Sequence, residues 1–293
     1  MDNGAIRHHH PYLGEATNLM DKRYTMGAAT NVEQLEINKD WFVAGNRDLE
    51  IGDAADPYLL DDIDEQKRRA ELINTMLDGH TGRRGVHGPF RGVPLNSPDP
   101  LFRQLTAKRF NQAIEFTAMF GGSHMVIHSP FHGWVNPFTF AGDPVEVEKN
   151  IELVKETLKD VLPLAEANGV TLMLENIFDF HCGPILKLME AFDHPNLRMS
   201  LDIGHCQLSV PKGGMPNDQY IREAGKWLEH MHIQDNDALS DRHWAPGEGL
   251  INFHAIFEAL RLGEQNPRMI IELKNKHTIQ KGAAHLTDLG FAQ

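Results

Sequence analysis

The sequence predicts an α/β protein, a single-domain (β/α)8 TIM barrel, and three observations carry that expectation. The chain has 293 residues, a length that suits one large barrel and is long for two small domains. Eight short apolar runs recur along it, each about the length of a strand. Segments with helical periodicity lie between them, and this alternation is the pattern of a parallel sheet covered by helices. A doubly wound sheet is the alternative, but it seldom takes eight consecutive units of this kind.

Residues 1–23 are polar and irregular and read as an arm, followed by a barrel domain over 24–293. His8, His9 and His10 fall in the arm and are taken as solvated surface. The expected strands are Tyr24–Ala28, Asp48–Ile51, Arg84–His87, His124–His128, Val170–Leu174, Leu197–Asp202, Glu229–Ile233 and Met269–Leu273. The expected helices include Val32–Phe42, Ile63–Leu77, Leu101–Phe120, Val145–Asn168 and Phe253–Leu262. Asp143-Pro144 supplies a cap and a first-turn proline for the long fourth segment, and Asn168-Gly169 closes it.

Composition removes several function classes. With 28 basic and 41 acidic residues the net charge is −13, a field that repels phosphate backbones, so no nucleic-acid partner is expected. No apolar run reaches membrane-span length and no segment reads as a signal peptide, so a cytoplasmic protein without a membrane partner is expected. Cys182 and Cys206 cannot build a disulfide scaffold and read as small buried fillers. Assembly into a homo-oligomer is left open. The unusual count is histidine, 17 in one chain.

A buried barrel strand should be apolar, so a polar residue at its end needs a reason. Strands three to eight end on His87, His128, Glu175, Asp202, His232 and Glu272, all at the C-terminal rim where barrel sites are built. Carboxylates packed together on one rim repel unless a cation neutralises them. Three carboxylates with three imidazoles and no thiolate suit a divalent metal, Mn²⁺ or Zn²⁺ first, with Fe²⁺ or Co²⁺ as alternatives. Two smaller constellations join this rim. His205 lies one helical turn beyond Asp202, and the loop Asp241-Arg-His243-Trp-Ala-Pro-Gly-Glu-Gly249 offers an Asp-x-His pair. Phe90, Phe131, Trp134 and Trp244 fall in rim loops, where they are expected to wall the pocket.

At these residues the chain resembles the xylose isomerase-like TIM-barrel superfamily, which holds sugar phosphate isomerases and epimerases together with endonuclease IV. The motifs that carry the resemblance are Leu-Asp-Ile-Gly-His at 201–205, the 241–249 loop and Ile-Glu-Leu at 271–273. In the epimerase branch one divalent metal is held by residues that map onto Glu175, Asp202, His232 and Glu272. In the endonuclease IV branch nine ligands hold three zinc ions, and these map onto His87, His128, Glu175, Asp202, His205, His232, Asp241, His243 and Glu272. All nine places are filled. The ketose 3-epimerase branch also has a glutamate six residues after the first metal glutamate and an arginine six after the metal histidine. His181 and Ala238 stand there instead, which argues against a free ketohexose bound in that branch's manner.

The resemblance implies a metal-dependent isomerase or epimerase acting on a small carbohydrate. A proton would leave the carbon next to a carbonyl through a cis-enediolate, with Glu175 and Glu272 as the acid/base pair. His205 and His87 would orient substrate oxygens. Two alternatives share the barrel: a metal-cluster phosphodiester hydrolase like endonuclease IV, and a carbohydrate lyase or C-glycoside-cleaving enzyme. The basic residues near the mouth, Lys212, Arg242, Lys274 and Lys276, make a poor footprint for DNA.

Overall fold

Each of the eight apolar runs contributes a strand, and the strands close on one another in chain order. The computed structural model describes residues 21–131 and 144–293. Its strands are β1 (Met26–Thr30), β2 (Leu49–Ile51), β3 (Arg84–His87), β4 (His124–His128), β5 (Thr171–Glu175), β6 (Leu197–Asp202), β7 (Leu228–Ile233) and β8 (Arg268–Ile271). All neighbours are parallel, and β8 pairs back onto β1 to complete a single-domain (β/α)8 barrel. The arm expected over 1–23 lies, up to residue 20, outside the described residues.

Local chemistry explains the helix starts. Asp62 caps Ile63–Met76 by accepting from the Glu65 N–H at 3.0 Å, and Asn252 caps Phe253–Leu262 from the Ala255 N–H at 3.2 Å. Asp99 caps Pro100–Met119, where proline occupies the first turn at no hydrogen-bond loss.

Among the boundaries that differ from expectation, three have a definable reason. The helix expected over Val145–Asn168 is two, Pro144–Leu158 and Val161–Ala167. Pro163 lacks the N–H that would bond to the Lys159 carbonyl, and its ring would clash there, so the break falls at 159–160. The unit expected over Val32–Phe42 splits into a 3-10 turn, Val32–Ile37, and a helix, Lys39–Gly45. Asn38 leaves helical geometry between them, its side-chain amide donating to the Lys276 carbonyl at 2.9 Å. The first strand starts two residues late, because Tyr24 pairs with Ala292 in an isolated bridge.

Helices cover the outer face of the barrel, and one continuous apolar core joins them to the strands. The interior departs from the aliphatic layers usual in this fold. Glu50, His124, Ser200 and His230 are all fully buried inside it. No helix among the described residues is long and apolar enough to cross a membrane.

Candidate metal centre

Side chains alternate along a strand, so in β5, β6 and β7 a strand-end residue that faces inward lands on the rim of the barrel. Parallel register sets Asp202 opposite His232, and the His128–Glu175 pair sits beside them between β4 and β5. Glu272 follows β8 directly and ties its N–H to the Ile233 carbonyl at 3.0 Å. The result is a group in which Glu175, Asp202, His232 and Glu272 each offer an atom within 4.8 Å of the others.

Two further groups adjoin it. His87, His128 and Glu175 form one, and His205, Asp241 and His243 form the other. Glu175 therefore belongs to two groups, and all nine residues singled out in the sequence gather at one end of the barrel. His232 Nδ1 lies 2.7 Å from Glu175 Oε1 and 3.5 Å from Glu272 Oε2. The second Glu175 oxygen is buried without a hydrogen-bond partner. It faces His87 Nε2 at 3.6 Å and His128 Nε2 at 3.5 Å. A buried, unsatisfied carboxylate oxygen among imidazoles is a donor set that fits a divalent cation.

The titration behaviour points the same way. Burial alone would raise Glu175, yet His232 and His87 hold it well below the ordinary carboxylate range. Asp202 is raised by burial, and the neighbouring Glu175 charge adds to that while His205 opposes it. Burial opposes protonation of His87 and His243, but Glu175 in one case and Asp241 in the other lift both to about 9. Asp241 is held at about 2, its burial outweighed by the His243 hydrogen bond.

Gln234, which sequence reasoning did not single out, links the groups. Its amide donates to both Asp202 oxygens at 3.1 and 3.0 Å and to Asp241 at 3.3 Å, while its carbonyl accepts the His243 N–H at 3.2 Å. Gly204 makes room for it, since a Cβ there would lie 2.2 Å from the Gln234 amide carbon. Asp235 shapes the 241–249 loop: its carboxylate accepts the N–H groups of Asn236, Gly247, Gly249 and Ile251 at 2.9–3.1 Å. The Gly247 and Gly249 amides, which could otherwise grip a phosphate, are thus already engaged.

Above the donors lies a cavity of about 260 Å³, lined among others by Thr30, His87, Phe90, His128, His205 and Lys276. Phe90, expected from the sequence to wall the pocket, is among its lining residues. Phe131 packs in the hydrophobic core instead, and Trp244 is partly exposed under the Arg242 guanidinium. Neither is among the residues lining the cavity, and Trp134 lies outside the described residues. Three of the four basic residues expected near the mouth have partners of their own. Arg242 pairs with Asp237 at 2.9 Å, Lys274 donates to the Asp241 carbonyl, and Lys276 donates to the Leu273 carbonyl. Burial pushes the Cys182 thiol up to about 12 and raises Cys206 as well, so neither is an activated nucleophile.

Comparison with known proteins places this geometry. The family model for the xylose isomerase-like TIM barrel matches residues 44–289. An uncharacterized protein of Methanocaldococcus jannaschii is 27% identical over 202 residues, 66% of this chain and 64% of that one, so the chain spans less than two thirds of that relative. Fructoselysine 3-epimerase of Escherichia coli O157:H7 is 31% identical over 100 residues, 32% of this chain and 35% of the epimerase. A crystal structure of a D-tagatose 3-epimerase-like protein superposes with a TM-score of 0.71 at 22% identity, covering 90% of this chain and 96% of that chain, which shows a shared fold.

Proposed function

Since the chain belongs to the xylose isomerase-like TIM-barrel family, we propose that it is a divalent-metal-dependent sugar isomerase or epimerase that moves a proton next to a carbonyl through a cis-enediolate. The observation that carries this reading is the Glu175–Asp202–His232–Glu272 group beneath a cavity of about 260 Å³, which suits a small polar molecule. The partial match to fructoselysine 3-epimerase supports a sugar as the substrate class. With the Gly247 and Gly249 amides engaged by Asp235, an unphosphorylated sugar fits better than a sugar phosphate.

Those four residues would hold the ion, Mn²⁺ or Zn²⁺ by donor type, with Fe²⁺ or Co²⁺ as substitutes. When bound, it would supply polarisation of the substrate carbonyl and counter-charge for the enediolate. Glu175 and Glu272 reach the cavity from β5 and from the end of β8. One would remove the proton as carboxylate while the other, carrying a proton, returns it. Delivery to the opposite face of the same carbon epimerises it, and delivery to the neighbouring carbon isomerises aldose to ketose. His87 and His205, both lining the cavity, would donate to substrate oxygens, and Phe90 would keep water from the reacting carbon.

Glu272→Gln is expected to fold and to lose solvent deuterium incorporation into a ketose or aldose substrate by about 10²–10⁴-fold. Wild-type exchange in that variant would remove Glu272 from the acid/base pair.

A second reading has its own observation in the sharing of Glu175 between two donor groups and the presence of a third. That arrangement suits a three-ion cluster and phosphodiester hydrolysis of the endonuclease IV kind. The committed basic residues and the −13 charge weigh against it. Chelator-sensitive cleavage of abasic-site DNA would favour it over the sugar reading.

A further inference from the structure

Below the metal donors, in the body of the barrel, sits a carboxylate that neither the motifs nor the family positions single out. Glu50 is the middle residue of β2 and is fully buried. An ionised group there persists only with partners, and three imidazoles surround it. His230 Nε2 lies 3.1 Å from Glu50 Oε2, His124 Nε2 lies 3.4 Å from the same oxygen, and His232 Nε2 lies 2.9 Å from Oε1. The sequence prepares this space. Gly85 pairs with both Glu50 and His124 across the sheet, and a Cβ at that position would meet the His124 ring at 2.3 Å.

The contacts of the outer nitrogens show which tautomers these rings can take. Arg268, which can only donate, contacts His124 Nδ1, so the proton of a neutral His124 ring is on Nε2, facing Glu50. His230 Nδ1 lies 2.8 Å from the Ser200 hydroxyl, which can donate to it and leave the Nε2 proton for Glu50. His232 also turns Nε2 to Glu50, and here it differs from other rim histidines. His87, His205 and His243 each donate Nδ1–H to a backbone carbonyl, of Gly88, Asn176 and Glu272, at 2.9–3.0 Å. They keep Nε2 for the rim. His232 alone of these four is reversed, with Nε2 on the Glu50 carboxylate and Nδ1 turned to Glu175 at 2.7 Å.

We propose that Glu50 is the positioning residue of the metal centre, holding His232 so that Nδ1 is the ligand nitrogen and making that imidazole a stronger donor than its carbonyl-bonded neighbours. The inference rests on the metal-site reading above but not on any reaction there. A carboxylate behind a metal-binding imidazole fixes the tautomer, orients the ring and raises its basicity, and losing such a partner typically weakens metal affinity about 10–100-fold. His230, bonded to the second oxygen at 3.1 Å, and His124, 3.4 Å from it, keep the Glu50 carboxylate from rotating away.

The test uses the full chain and Zn²⁺ alone, with no sugar. Competition against a chromophoric chelator should show Glu50→Gln binding Zn²⁺ about 10–100-fold more weakly. The glutamine carbonyl can still accept one N–H, but it lacks the charge and the second acceptor. Nitrogen-15 spectra of the zinc-loaded wild type, labelled at histidine, should show His232 zinc-bound at Nδ1 and protonated at Nε2. Unchanged Zn²⁺ affinity in a folded Glu50→Gln protein overturns the proposal, as does a His232 bound through Nε2. If Glu50→Gln does not fold, the wild-type spectrum decides. Failure of the wild type to bind any divalent ion would overturn the metal reading itself, and this proposal with it.

Discussion

Two sets of donors share this rim and are held in place by different means. Glu175, Asp202 and His232 come from strands, are fully buried, and take their positions from parallel register. His205, Asp241 and His243 come from a helix start and a loop, and the Asp241 side chain is 42% exposed. Their geometry depends on side-chain hydrogen bonds. Asp202 caps the helix Ile203–Ser209 through the His205 N–H at 2.8 Å, Gln234 spans to Asp241 and His243, and Asp235 anchors the loop behind them. His243 also has a φ of 50°, a left-handed conformation that costs a residue with a Cβ about 1–2 kcal/mol. The strand-borne set should survive perturbations that dismantle the loop-borne set.

The largest expected effect comes from breaking the loop anchor. Asp235→Asn leaves one acceptor oxygen for four backbone N–H groups. With each stranded buried donor costing about 1–3 kcal/mol, a loss of about 3 kcal/mol or more is expected in urea unfolding of the metal-free protein. A change below about 0.5 kcal/mol, the range of ordinary surface substitutions, would mean that Asp235 does not hold the loop.

His243→Ala separates the two sets directly. On the one-ion reading it should leave Zn²⁺ bound per chain unchanged, because Glu175, Asp202, His232 and Glu272 remain to hold the ion, whereas a fall in bound Zn²⁺ would favour the three-ion reading. Asp202→Asn should weaken that inner ion by at least the ~10–100-fold seen when an outer partner is lost, and should also loosen the His205 cap. Elemental analysis after gel filtration reads both. Equal loss from the two variants would show one cooperative cluster in place of two separable sets.

The same contrast explains what could be read in the sequence. Glu175, Asp202, His232 and Glu272 were legible because the ends of barrel strands are where polar residues need a reason, and Asp241 and His243 were legible as a spaced pair. Glu50, His124 and His230 were not, because each lies within a run that otherwise reads as an ordinary strand. Only closure of the barrel, which brings β2, β4 and β7 around one axis, makes them neighbours. Gln234 carries no charge and had no periodicity to mark it. The helix break at 159–160 was written in Pro163, but the apolar periodicity continues through that residue and masked it.

The smallest predicted effect concerns the support of the strand-borne set. Asp179 follows β5, accepts from the Ser129 hydroxyl at 2.7 Å and the Ile177 N–H at 2.9 Å, and so ties the end of β4 to the loop beyond Glu175. Burial raises it from 3.8 to about 7, against the lowering pull of the Ser129 bond. The folded state therefore binds a proton that the unfolded chain has released between about pH 4 and 7. Its stabilising contribution is complete below the unfolded value and is lost as pH rises through about 7. Asp179→Asn, neutral at every pH, should match the wild type near pH 4 and exceed it at pH 8 by on the order of 1–3 kcal/mol in urea unfolding. A pH-independent difference would show that the carboxylate is stabilised where it stands, and that the strand-borne set carries no buried charge penalty at its support.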